Sequence, residues 1–254
     1  MSRTHLVIPD SHAHYQHDNK RAEKLGKLIF DLRPDVVVHM GDSADMPSLS
    51  AFDKGRKASI GRTYRADIDA HLDFNERLWH TYKKNKKGMP ETWFLEGNHE
   101  FRIKRAINVQ PELEGTVGFK DLELQRWYDN VIEYDGNIPG VGVIDGVHYA
   151  HYFISGVKGL PVGGEHAATT LLTKKYGSCT AAHSHLADWS ARTSITGKKL
   201  FGCVAGCYLD YHTEWAGDAN KMWWRGIVIK RNVEDGVYSP QFVSLEEIEK
   251  QYPE

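Results

Sequence analysis

The chain has 254 residues, of which 41% are hydrophobic, and a formal net charge of −2. That length and composition support a buried core and exclude a disordered chain, and the near-neutral balance excludes a polyanionic partner held by bulk charge. Three cysteines, Cys179, Cys203 and Cys207, exclude a disulfide framework and predict reduced thiols in a cytoplasmic protein, while the apolar runs are too short for a membrane span or a secretion signal.

In chain order, "THLVIP" predicts a short strand buried on both faces, ending at Asp10. "NKRAEKLGKLIFDLR" has helical spacing, with Leu25, Leu28, Ile29 and Leu32 on one face, Asn19 at the N-cap and Pro34 as the stop. "DVVVHM" is a second buried strand, ending in Gly41-Asp42. The Gly/Ser-rich, basic segment from Ser43 to Asp67 predicts a loop, and a helix is expected from Asp67 to Lys87. "TWFL" is a third strand; "GNHE" follows it, and then the helical "FRIKRAINV". Strands alternating with helices predict a mainly parallel sheet.

From about Asn137 the pattern changes. "VGVIDGVHYAHYF" predicts a hairpin turning at Asp145-Gly146, and "EHAATTLLTKKYG" a helix closed by Gly177. "SCTAAHSH" is a short strand ending in two histidines. "SARTSITGKKLFGCVAG" and "WRGIVIKRNVEDGVYSPQFV" predict antiparallel hairpins, and "LEEIEK" a last short helix. No repeat or linker divides the chain, so a single domain over residues 1–254 with two packed sheets is expected.

The predicted strands share one feature: they end on metal-ligand residue types. Asp10 and His12 follow the first strand, Asp42 the second, Asn98 and His99 the third, and His183 and His185 a later one; His148 and His151 lie in the first hairpin. Ligands of open α/β sheets bind beyond the carboxyl ends of the strands, so these groups are expected to share one cleft. In extended chain, residues two apart face the same side, which lets Asp10 with His12, and His183 with His185, each serve one cluster. His148 and His151 are three apart, so at most one of them joins it. Mixed imidazole and carboxylate donors suit Mn²⁺, Fe or Zn²⁺ better than Ca²⁺ or Mg²⁺. Seven donors exceed the needs of one ion but serve two ions about 3.5–4 Å apart.

In this order, D-x-H, GD, GNHE, a histidine and H-x-H resemble the calcineurin-like metallophosphoesterase superfamily over residues 10–185. The resemblance implies an α/β fold, a four-layer α/β/β/α sandwich of two mixed sheets flanked by helices. It implies two divalent metal ions, Mn²⁺ first, with Fe, Zn²⁺ or Ni²⁺ as alternatives. Asp10, His12 and His185 would hold one ion, Asp42 would bridge, and Asn98, His183 and one hairpin histidine would hold the other. His151, nearer the strand end, is the expected ligand and His148 the fallback. Two cations would neutralise an anionic ester and lower the pKa of a bound water, whose hydroxide attacks phosphorus in line. His99 is then expected to be the general acid, with Asp45, at GD-x-x-D spacing, setting its tautomer.

One departure bears on the substrate. The protein Ser/Thr phosphatase branch continues GD-x-x-D with Arg-Gly, whereas here Asp45 is followed by Met46-Pro47, so a phosphate-binding arginine is missing. Lys54, Arg56, Lys57, Arg62 and Arg65 in the following loop, and Arg102 after GNHE, are candidate replacements. Arg56, Arg62 and Arg102 are the expected substrate-binding residues, although the same cations equally suit a solvated loop or helix turn. The basic run "YKKNKKG" fits a helix C-terminus without nucleic acid. Trp215, Trp223 and Trp224 either pack under a loop or in a subunit contact, or stack on a nucleobase. The missing arginine and the basic loop favour phosphodiester, nucleotide or nucleic-acid substrates, as for a nuclease. The alternatives are a phosphomonoesterase, acting on protein or small molecules, and a non-catalytic binding scaffold of the same fold.

Overall fold

Strands whose residues are apolar on both faces must be covered on both faces, and this requirement organises the molecule. The structure, a computed structural model, describes residues 2–85 and 88–253, without the side chains of residues 214 and 215. Lys86 and Lys87 of the basic run, and the Trp215 side chain, therefore lie outside the described residues. The first half runs β1 (Arg3–Ile8), α1 (Lys20–Leu32), β2 (Val36–His39), α2 (Tyr64–Asn85), β3 (Glu91–Leu95), α3 (Phe101–Val109) and β4 (Asn130–Ile132). Then come β5 (Gly142–Ile144), β6 (Val147–Tyr149), a minor hairpin of β7 (Ile154–Ser155) and β8 (Leu160–Pro161), α4 (Ala167–Lys175) and β9 (Cys179–Ala181). The chain closes with β10 (Ala187–Thr193), β11 (Lys199–Ala205), β12 (Gly226–Glu234), β13 (Val237–Ser244) and α5 (Leu245–Gln251).

Two mixed sheets result. The first has the order β13-β12-β1-β2-β3-β4, with β1 to β4 parallel and β12 and β13 antiparallel at one edge. The second has the order β10-β11-β9-β6-β5, parallel in its centre. Alternation along the strands divides each apolar run between two cores. Leu6 and Ile8 of β1, Val37 of β2 and Ile227 and Ile229 of β12 meet Leu25 and Ile29 of α1, Phe74 and Leu78 of α2 and Ile248 of α5. Val7, Val38 and Val228 point the other way, onto Val147, Tyr149 and Cys203 of the second sheet. The outer face of that sheet is covered by Ala168 and Leu171 of α4. The layers are thus α/β/β/α, as expected.

Local differences have identifiable causes. Asn19 stands at the N-cap of α1, but its amide donates to Ala70 O (3.1 Å) and to Asp73 (2.9 Å), tying α1 to α2 instead of capping. Arg33, left-handed at φ 52°, closes α1 before Pro34. Helix α2 begins at Tyr64, a turn before Asp67, and α4 is closed by Tyr176 at φ 56° rather than by Gly177. Strand β4 carries too few apolar residues to stand out in the sequence. The three cysteines are free and buried. No helix among the described residues is long and apolar enough to cross a membrane.

Between the sheets lies a buried cation. Lys230 of β12 donates to Thr180 Oγ1 and to the Tyr149 hydroxyl (3.4 Å), with its ammonium 4.4 Å from the Tyr149 and Tyr238 ring centres. Burial pulls its pKa from 10.5 down to about 8. Between those values the unfolded chain binds more protons than the folded one, so this group adds stability as pH rises through the window. The Tm of the protein should therefore rise relative to that of Lys230→Met between pH 8 and 10.5, and stay in constant offset below it, as measured by paired thermal melts across pH.

Candidate metal centre

The candidate ligands come from loops at the strand ends of both sheets. The β1 and β2 loops continue their pairing past the strands: Ser11 and His12 both donate their N–H to Asp42 O (3.1 and 2.9 Å), and Asp45 N–H reaches Ala13 O (3.1 Å). From the other side, Tyr208 N–H donates to Asp10 O (2.7 Å). His12, Asp42, His183 and His185 have φ of 42°, 47°, 63° and 59°. The two D-x-H and H-x-H segments are therefore not extended, and the alternation argument does not explain their convergence. Left-handed backbone at the ligands themselves aims them inward, a strain of about 1–3 kcal/mol per residue that the surrounding structure must hold.

Three side chains that do not belong to the donor set fix these loops. Glu100, fully buried, accepts the backbone N–H groups of Asp42 (2.9 Å), Ala44 (2.9 Å) and Gly97 (3.0 Å), knotting the β2 and β3 loops together. Gly97 is required by space: a Cβ there would sit 2.2 Å from both Asp42 N and Asp42 Oδ1. Arg21 of α1, also buried, donates to Ser11 O (2.7 Å), Asp18 O (2.9 Å) and Tyr208 O (3.2 Å). His39 Nδ1 accepts the Gly41 N–H (3.2 Å), so Nε2 carries the proton and donates to Ser11 Oγ (3.1 Å); burial lowers its pKa to about 3 and keeps it neutral. Sequence reasoning missed these roles. His39 is the one polar residue in the run "VVVHM" and Glu100 completes "GNHE", so both left a signal; Arg21 looked like any helix surface residue.

The donors form linked groups. Asp10, His12 and His185 offer ligand atoms within 4.8 Å of one another, and so do Asp42, His151 and His183; His12, Asp42 and His99 connect them. Asn98 Oδ1 lies 3.0 Å from His151 Nε2. His148 lies elsewhere on β6, with Nδ1 against Ser178 O (3.2 Å). The donor set fits divalent cations. His151 Nδ1 donates to Met40 O (2.9 Å), which leaves Nε2 as an acceptor facing Asp42 Oδ2 (3.3 Å), Asn98 Oδ1 and His183 Nδ1 (3.3 Å). His12 Nε2 and His185 Nε2 approach to 3.2 Å, and the buried Asp10 Oδ2 lies 3.0 Å from His185 Nε2. Buried acceptors aimed at one another are costly unless positive charge joins them. Burial alone would lower the His151 pKa, but Asp42 and Asp10 outweigh it and lift it to about 9: the two carboxylates draw a positive charge, proton or ion, to Nε2. Burial would likewise raise the Asp42 and Asp45 carboxyls, yet the histidines around them hold both well below the usual range.

Asp45 and His99 sit beside these donors. The Asp45 carboxylate lies 2.9 Å from His12 Nδ1 and 3.3 Å from His99 Nδ1, while the shorter His99 contact is a donation from Nδ1 to the Asp45 carbonyl (2.6 Å). Arg102 donates from Nη2 to His99 Nε2 (3.0 Å) and from Nη1 to the carbonyls of Asp45 (3.0 Å) and Met46 (3.1 Å). Arg62 instead pairs with Asp53 (2.6 Å) and the Pro47 carbonyl (3.1 Å) within its own loop, and Arg56 is exposed there.

The profile of the calcineurin-like phosphoesterases matches residues 4–189, a span that contains every one of these donors. The chain belongs to the calcineurin-like phosphoesterase family. The gene 54 proteins of Mycobacterium phages L5 and D29 are each 30% identical to it, over 139 and 138 residues. Those matches cover 54% of this chain and 49% of each phage protein, so the chain matches about half the length of these relatives. Among solved structures, a predicted phosphoesterase of Streptococcus pneumoniae TIGR4 aligns over 97% of this chain and 91% of its own, with 11% identity and a TM-score of 0.38. The protein TT1561 of Thermus thermophilus aligns over 95% and 99%, with 13% identity and a TM-score of 0.35.

Two outcomes test the architecture of this candidate metal centre. Glu100→Gln turns an amide N–H₂ toward a backbone N–H and should cost about 2 kcal/mol, read by denaturant titration. Mn²⁺ should raise the Tm of the wild type, chelation should reverse the rise, and Asp42→Asn should abolish it.

Proposed function

We propose that the chain hydrolyses phosphate esters with two divalent ions, Mn²⁺ foremost, and that its substrates are phosphodiesters of nucleotides or nucleic acid. The observation that carries this reading is the pair of donor groups that meet around Asp42. Asp10, His12 and His185 would hold one ion, Asn98, His151 and His183 the other, with Asp42 shared. Such ions neutralise the ester and acidify a water at neutral pH.

The chain's own residues do the rest. His99 is the proton donor to the leaving oxygen. As it stands, its Nδ1–H is committed to the Asp45 carbonyl and its Nε2 accepts from Arg102. A phosphate oxygen that draws Arg102 away leaves Nε2 open to a proton, so substrate arrival and readiness of the acid are coupled through one guanidinium. Of the three arginines singled out in the sequence, Arg102 is thereby the one phosphate ligand of this reading. Asp45 orients His12 from behind and holds the His99 ring through its carbonyl. Arg62 is committed within its loop and is not a phosphate ligand in this reading. The absent arginine supports the diester preference, since a monoester dianion needs more positive charge than a diester. Both sheets contribute ligands, which supports one domain over residues 1–254. The buried free thiols support a cytoplasmic setting.

With Mn²⁺, the protein should turn over bis-p-nitrophenyl phosphate faster than p-nitrophenyl phosphate; the opposite order would reverse the diester assignment. His99→Ala should lower kcat by about 10²–10⁴-fold with metal content unchanged. Loss of metal together with activity would instead make His99 a ligand.

A further inference from the structure

A cavity of about 460 Å³ opens beside the metal centre, lined among others by Trp223, Trp224, Arg225, His212 and Glu246. We propose that it receives the nucleobase of the substrate, with preference for a base that carries an exocyclic amine. This rests on the phosphoesterase reading above and adds what lies beyond the phosphate.

The cavity begins one ring away from a proposed ligand. Trp223 meets His185 edge to face, with ring centres 4.2 Å apart at 84°, and Trp224 N–H donates to His185 O (3.0 Å). Trp224 is held in place: it packs against Phe242 (5.3 Å), and Gly206 lies so close that a Cβ would fall 2.4 Å from the Trp224 ring. Indoles at this distance suit a planar group joined to a phosphate at the centre. The volume lies within the range of small-molecule sites.

Charge decides what kind of planar group fits. Asp210 is paired with Arg21 (3.2 Å) and Glu249 with Lys24 (4.0 Å), whereas Glu246 forms no ion pair among the described residues. The Glu246 carboxylate repels phosphate and accepts N–H donors. Arg225 is structural: its Nη1 donates to Leu209 O (2.6 Å) and Tyr211 O (2.8 Å), and its Nη2 is buried away from the cavity. The ligand must therefore be flat and offer an N–H₂ to the Glu246 carboxylate. Guanine, adenine and cytosine do. A quaternary ammonium such as choline satisfies the indoles and the charge but has no N–H to give Glu246.

The test titrates the full chain with guanosine, adenosine, uridine and choline, free of phosphate, and follows indole fluorescence. Guanosine or adenosine should saturate the signal at a concentration at least about tenfold below uridine. Glu246→Gln should erase that difference, and Trp223→Phe should weaken binding of all the nucleosides. No binding of guanosine or adenosine up to about 10 mM, equal binding of uridine, or tighter binding of choline would overturn the proposal. Turnover of bis-p-nitrophenyl phosphate by the same preparation separates the two readings. Cleavage without nucleoside binding discards the pocket alone, and binding without cleavage discards the phosphoesterase reading alone.

Discussion

The centre depends on a carboxylate that does not belong to the donor set. Glu100 takes three backbone N–H groups from two loops into two oxygens, at a point buried away from solvent. Buried N–H groups without partners would cost about 1–3 kcal/mol each, so this one side chain decides whether the β2 and β3 loops can lie together at all. Once they do, Asp42 Oδ1 accepts the His99 N–H (2.8 Å), which fixes the Asp42 carboxylate with its other oxygen toward His151. A bridging position and the backbone of the proposed acid thus share one hydrogen bond. Gly97 follows from the same packing, because the space a side chain would need is filled by Asp42 and Glu100.

The sandwich supplies the rigidity that makes this arrangement possible. Each sheet is covered on both faces, so the strand ends cannot drift, and the strained left-handed residues at His12, Asp42, His183 and His185 are held from behind. The polar groups between the sheets are sorted by end. Lys230, Tyr149, His5 and Asp145 form a connected hydrogen-bonded chain along the interior, separate from the donor groups. Acidic and basic groups that would interfere with a metal centre are therefore satisfied among themselves.

Sequence alone revealed the strands best, because runs such as "LVI" and "VVV" admit few other readings. It also revealed the donor types, because Asp, Asn and His recur where apolar runs stop. It misjudged why the donors converge: spacing suggested extended chain, while the backbone reaches the same end by positive φ at four of them. Helix ends were less legible, since Asn19 prefers a tertiary contact with α2 to its own cap and Tyr176 occupies a conformation usually left to glycine. The loop cations could not be ranked from order along the chain. Arg62 is neutralised by Asp53, nine residues earlier, whereas Arg102 is carried onto His99 by the first turn of α3. Arg21 was invisible because its partners are carbonyls from loops distant in sequence, and carbonyls leave no trace in residue type.

The arrangement of charge also resolves how a chain of net charge −2 can handle an anion. Attraction need not come from the whole surface when the cations sit at one point and the surroundings refuse the same group. Here the donors at the strand ends call for positive ions, and Arg102 adds a guanidinium beside them. In the neighbouring cavity Asp210 is paired with Arg21 and Glu249 with Lys24, which leaves Glu246 to oppose a phosphate entering there. A substrate with an anionic end and a flat, amine-bearing end would then be sorted by repulsion as much as by attraction, with only one orientation free of penalty. In this reading the acidic lining does not weaken binding of an anion. It sets which end of the molecule faces the metals.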